Sequence, residues 1–115
     1  MRKLKFRAYN SSAEVWIENL SEQEISYIEK PNSYTKITQF TGILDKKGVE
    51  IYEGDIVKGC THGEYVATGS VEFFGGSYIL RVERGKGYYR LTETVFKNFE
   101  VIGNIYQNPE LLEEK

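Results

Sequence analysis

The 115-residue chain is 40% hydrophobic and 28% charged, has a formal net charge of −2, and contains one cysteine. Its length fits one domain over residues 1–115 with a core large enough to fold without staples. The charge argues against a protein whose main task is gripping phosphate backbones; the lone Cys60 excludes an internal disulfide and suits a reducing compartment; and no apolar run is long enough for a signal peptide or a bilayer span, so a cytoplasmic protein is expected.

Leu4, Phe6 and Ala8 alternate with Lys3, Lys5 and Arg7. That is the period of a half-buried strand with one apolar and one basic face. Asn10-Ser11-Ser12 is turn chemistry, and Glu14–Leu20 reads as the second strand of a hairpin, with Trp16 in the core. Residues 20–35 leave two readings open: a helical turn at Ser21–Glu24, or a short strand at Ile25–Glu29. Lys30–Ser33 is a loop. Thr35–Leu44 resumes strand character, and Asp45-Lys46-Lys47-Gly48 is a hairpin turn, because Asp suits the first turn position and Gly a left-handed last one. Val49–Lys58 returns as a strand. Gly59–Gly63 reads as a loop, Tyr65–Phe74 as a strand and Gly75-Gly76 as a turn. Ser77–Glu83 pairs with Tyr88–Phe96 through Arg84–Gly87, and Phe99–Ile105 is the last strand.

Asn108-Pro109-Glu110 then reads as a helix start: Asn at the cap, Pro at the first helical position, acid near the positive end. About two turns remain, too few to stand alone in water. Leu111-Leu112 therefore docks, as a plug over a barrel end or as an oligomer contact. Aromatics at 14%, with nine Tyr, fit pleated half-buried surfaces. Short strands with regular turn signals give a barrel or a sandwich.

The run Ile51–Val57, IYEGDIV, is broken by Glu53-Gly54-Asp55. Two carboxylates two residues apart on a strand face the same way and so raise the question of an acid–base pair. The intervening Gly54 favours a bend instead, since a glycine inside a strand marks a bulge or a close backbone approach and Asp beside it bonds nearby amides.

Around this break the chain resembles a known family. QFTGILDKKGVEIYEGDIV, Gln39–Val57, closely resembles the signature segment of the YopX-like family of phage and prophage proteins. LKFRAYN, Leu4–Asn10, resembles that family's opening strand, and VIGNIYQNPELL, Val101–Leu112, its closing strand and terminal helix. Glu14–Lys36 and Lys58–Asn98 carry no motif that aligns, and Tyr9 stands where Trp is expected as often. The resemblance implies a small barrel of SH3-like character, a bacterial cell hosting the virus, and no established reaction. It brings no catalytic residues.

Cys60-Thr61-His62-Gly63-Glu64 gathers the single Cys, the single His and an acid. Zinc needs three or four well-placed ligands, and no second cluster completes the set. Gly75-Gly76 and Gly85-Lys86-Gly87 precede no helix, so neither is a phosphate cradle. Neither a catalytic residue set, a metal nor a cofactor is therefore expected. The candidate binding surface is the basic and aromatic hairpin carrying Arg81, Arg84, Lys86, Tyr88 and Arg90, since bases stack on aromatic rings beside cations. Glu83 and Glu93 dilute its charge. The expectation is thus an all-β small barrel of antiparallel hairpins with a short C-terminal helix, acting as a non-catalytic module that binds a protein partner or its own copies. A nucleic-acid-binding module, using that hairpin or the Lys3-Lys5-Arg7 face, is the alternative.

Overall fold

Alternation and turn chemistry produce the elements in the order expected. The computed structural model describes residues 4–21, 35–61, 65–82, 87–90 and 98–112. Among them are nine strands: β1 (Phe6–Asn10), β2 (Val15–Leu20), β3 (Thr35–Leu44), β4 (Glu50–Tyr52), β5 (Asp55–Thr61), β6 (Tyr65–Phe74), β7 (Ser77–Val82), β8 (Gly87–Arg90) and β9 (Phe99–Asn104). They form two antiparallel sheets, ordered β2-β1-β3-β4 and β8-β7-β6-β5-β9, curled into a half-barrel. Among the described residues no helix is long and apolar enough to cross a membrane. The readings for residues 22–34, 83–86 and 91–97 lie outside the described residues.

Three expectations are corrected. Val49–Lys58 is not one strand. The chain leaves the first sheet after Tyr52 and enters the second at Asp55, so the Glu53-Gly54 break is a crossing between sheets. Gly59 and Cys60 do not open a loop, because β5 continues to Thr61 in register with Tyr65 of β6. A glycine is required at 59 by close packing: a Cβ there would lie 2.7 Å from Phe99 Cα. The C-terminal segment, over its described residues, is a four-residue 3-10 turn, Pro109–Leu112, rather than two helical turns. The Asn108 side chain turns back to accept the Asn104 amide at 3.2 Å instead of capping forward. Leu111 nevertheless docks on the chain's own sheet, since a Cβ on Gly103 of β9 would meet its Cδ1 at 2.9 Å.

The core lies between the sheets. Ile51, Val57, Val71, Leu80 and Phe99 are fully buried, with Tyr78 beside them and Ile43 and Val101 packed against the cluster. Burying each aliphatic side chain contributes roughly 1.5–3 kcal/mol. Ile56 and Val57 are adjacent yet both fully buried, because β5 is central and covered on both faces.

Candidate functional site

The crossing at residues 53–55 organises both sheets. Gly54 has φ +92°, a conformation that costs a residue with a Cβ. Its amide donates to the Val71 carbonyl at 2.8 Å and its carbonyl accepts the Ile105 amide at 2.9 Å. Asp55 closes the bend by accepting the Tyr52 amide at 2.8 Å, and its other oxygen accepts a charge-assisted bond from the Arg7 guanidinium. Arg7 lies between two rings, its Cζ 4.1 Å from the Trp16 centroid and 4.4 Å from that of Tyr52. Burial pushes the Asp55 carboxyl up to about 6, against the pull of Arg7 and the Tyr52 amide. Arg7 Nε and Thr38 Oγ1 are both buried and, among the described residues, have no hydrogen-bond partner. Their residues are register partners on β1 and β3.

This arrangement covers the basic face of β1 as well as the apolar one, where Ala8 is buried. The basic face is turned inward: Arg7 pairs with Asp55 of the other sheet, and Lys5 pairs with Glu50 at 2.5 Å. Tyr9, 4% exposed, shares that face, whereas Leu4 at 42% is open to solvent. Trp16 is half-buried rather than core. It contacts Tyr9 and Tyr106 at centroid separations of 4.8 and 6.0 Å and donates its indole N–H to Gln107 at 3.0 Å. Sequence reasoning missed this cluster. The available signal was an arginine, whose planar cation stacks on rings, on a strand that also carries a tyrosine two positions on.

Glu53 and Asp55 do not converge. Asp55 is 2% exposed behind the crossing, while Glu53 faces an open cleft of about 280 Å³ bounded by Ile37, Glu72, Phe73, Ile105 and Tyr106. Burial raises the Glu53 carboxyl above its usual range and the Glu72 charge adds to this, with a hydrogen bond from the Gln39 backbone opposing. Phe73 also borders a second groove, of about 350 Å³, with Ile43, Ser77 and Tyr78. Its ring meets that of Tyr78 edge-on at 5.0 Å.

Successive strand residues point to opposite faces, so on a sheet covered on one side, one of two neighbours is buried. Phe73 and Phe74 break this rule, being 53% and 52% exposed. Both faces of the sheet are therefore aromatic at the β6–β7 turn.

The expected hairpin surface is only partly described. Arg81 of β7 pairs with Glu72 at 2.7 Å and lies 5.7 Å from the Phe74 ring, so its charge is matched within the sheet. Tyr88 stands opposite Arg81, and Arg90 opposite Ile79, through the backbone of β8. Arg84 and Lys86 lie outside the described residues, as do His62 and Glu64 of the candidate metal cluster. Among the described residues, no group of three or more metal-ligating side chains is gathered.

The family model described as YopX protein matches residues 2–113. Protein EF1440 from Enterococcus faecalis is similar in structure, with a TM-score of 0.64 and 23% identity over 97% of this chain and 99% of that one. Protein yopX from Bacillus subtilis is similar with a TM-score of 0.59 and 18% identity over 94% and 97%. At these identities the likeness is one of fold. No curated protein matches the chain.

Proposed function

The chain belongs to the YopX protein family, and we propose that it is a non-catalytic protein-interaction module, encoded by a bacterial virus or prophage and acting in the host cytoplasm. The observation that carries this reading is the pair Phe73 and Phe74, both more than half exposed on neighbouring positions of β6. Half-exposed rings that remain in water forgo about half of the roughly 150–250 Å² each could bury, and aromatic side chains are enriched at the centres of protein interfaces. Open grooves flank Phe73 on two sides, which suits insertion of a partner's side chains. Arg7, Lys5 and Arg81 are each matched by an acid of the same chain, which weighs against the nucleic-acid alternative.

The test compares the parent chain with a Phe73→Ser, Phe74→Ser variant. Tagged proteins are recovered from bacteria carrying the gene in its native context, and light scattering is recorded over a dilution series. Expected is a protein partner, or a concentration-dependent mass, that the parent shows and the variant loses. A strict monomer whose co-purifying proteins are the same for both chains would sink the reading. A gene lying outside any viral or prophage cluster would remove its viral part.

A further inference from the structure

The cleft beside Phe73 specifies more than an apolar contact. Its walls are Ile37, Ile105 and the Tyr106 ring, with Phe73 at the rim, and its carboxylates are Glu53 and Glu72. Glu72 is engaged by Arg81. Glu53 differs, since among the described residues no lysine or arginine lies within ion-pair reach of it. A half-buried carboxylate without a cation is a cost to the free protein, and an incoming cation relieves it.

The molecule holds a finished version of the same chemistry a few residues away. There Arg7 lies between the Trp16 and Tyr52 rings and reaches the Asp55 carboxylate. The Glu53 cleft offers the corresponding wall of rings and the corresponding acid, but among the described residues no cation fills it.

We propose that the Glu53 cleft receives an arginine or lysine side chain from a partner protein, with the apolar residue next to it in that partner lying over Phe73. This rests on the interaction reading above and adds the chemistry of the partner segment. Aliphatic and aromatic walls take the methylene stem while the carboxylate takes the charged head. A guanidinium fits better than an ammonium, because it stacks on a ring while bonding a carboxylate.

The probes are two capped peptides, Leu-Arg-Leu-Arg-Leu and its isosteric uncharged counterpart with citrulline in place of arginine. Each is titrated into the isotopically labelled full chain and followed by amide chemical shifts. The arginine peptide is expected to move the Gly54, Glu72, Phe73 and Tyr106 amides and to bind about five- to tenfold more tightly than the citrulline peptide, the preference shrinking as salt is added. Glu53→Gln should erase that preference without lowering the melting temperature, whereas Phe73→Ser should weaken both peptides. Equal binding of the two peptides, lost with Phe73→Ser, overturns the cation and leaves the aromatic interaction surface standing. Shifts at other amides, or none, overturn the cleft assignment. Calcium chloride alone moving the same amides as strongly would make the acid a metal contact instead. Failure of the Phe73/Phe74 comparison described above is a separate result, because it reads partner retention rather than charge preference.

Discussion

Two acid-and-glycine turns, Asp45–Gly48 and Glu53–Asp55, look alike in the sequence and do opposite things. Both glycines are left-handed, Gly48 at φ +83° and Gly54 at +92°, and both aspartates are buried. Burial works to raise the Asp45 carboxyl, yet the amides of Val101, Val49 and Lys47 together outweigh it and hold the group below its usual range. Asp55 accepts the Tyr52 amide and an arginine, and burial wins, lifting it to about 6. Asp45 is thus solvated by backbone, in a turn whose cation Lys47 is exposed and pairs with Glu100 at 2.8 Å. Asp55 depends on one inward-facing cation from another strand. A buried carboxylate is settled by how many donors reach it, and the local sequence does not count them.

Removing the cation at each turn should separate them most. Arg7→Ala leaves Asp55 buried without its partner and opens the space between Trp16 and Tyr52, so a loss of roughly 3–5 kcal/mol is expected. Lys47→Ala breaks a solvent-screened pair and should leave the urea midpoint nearly unchanged. Urea midpoints measure both, and equal losses would mean that the inter-sheet pair is as well solvated as the surface one.

Next in size is the dependence on pH, where the two aspartates have opposite signs. Asp45 is lowered on folding, so its stabilisation is present above the unfolded pKa and is lost as pH falls through the folded value. Asp55 is raised, so the folded state holds its proton more tightly; stability from this group is greatest below about pH 4, declines towards pH 6 and is flat above, a span on the order of 3 kcal/mol. Denaturant midpoints from pH 3 to 8 should show that Asp55→Asn removes the decline between 4 and 6, and that Asp45→Asn removes the loss at the acid end. An Asp55→Asn profile parallel to the parent through that window would put the carboxyl back at its ordinary value.

The smallest contrast lies in the glycines. A Cβ on Gly48 meets nothing within 4 Å, whereas one on Gly54 lies 3.2 Å from Tyr106 Cε2. Both alanine variants carry the left-handed strain of about 1–2 kcal/mol, and Gly54→Ala adds displacement of the Tyr106 ring. Its melting temperature should therefore fall further than that of Gly48→Ala, and identical shifts would show that Tyr106 yields freely.

The fold was largely legible. Asn10–Ser12, Asp45–Gly48 and Gly75-Gly76 mark real turns because turn formation depends on the backbone preferences of neighbouring residues. The bend at Gly54 was legible for the same reason. The site was much less so. Alternation assigns Arg7 and Ala8 to opposite faces of β1 but does not say which face meets a second sheet, and in β1 both are covered, since Ala8 on one face and Tyr9 on the other are buried. Nor does it show that β6 is uncovered on both sides at Phe73 and Phe74, since exposure there depends on where the other sheet ends.

The sequence by itself determined the strands, their hairpins and the places where the ribbon bends, because those follow from side-chain period and from torsions that only a few residue types tolerate. Tertiary structure alone decided the fate of the charges. Arg7 finds its carboxylate 48 residues away, and Asp45 completes its set of donors with the Val101 amide 56 residues on. Electrostatic energies are fixed by separation and burial in three dimensions, and distance along the chain carries neither.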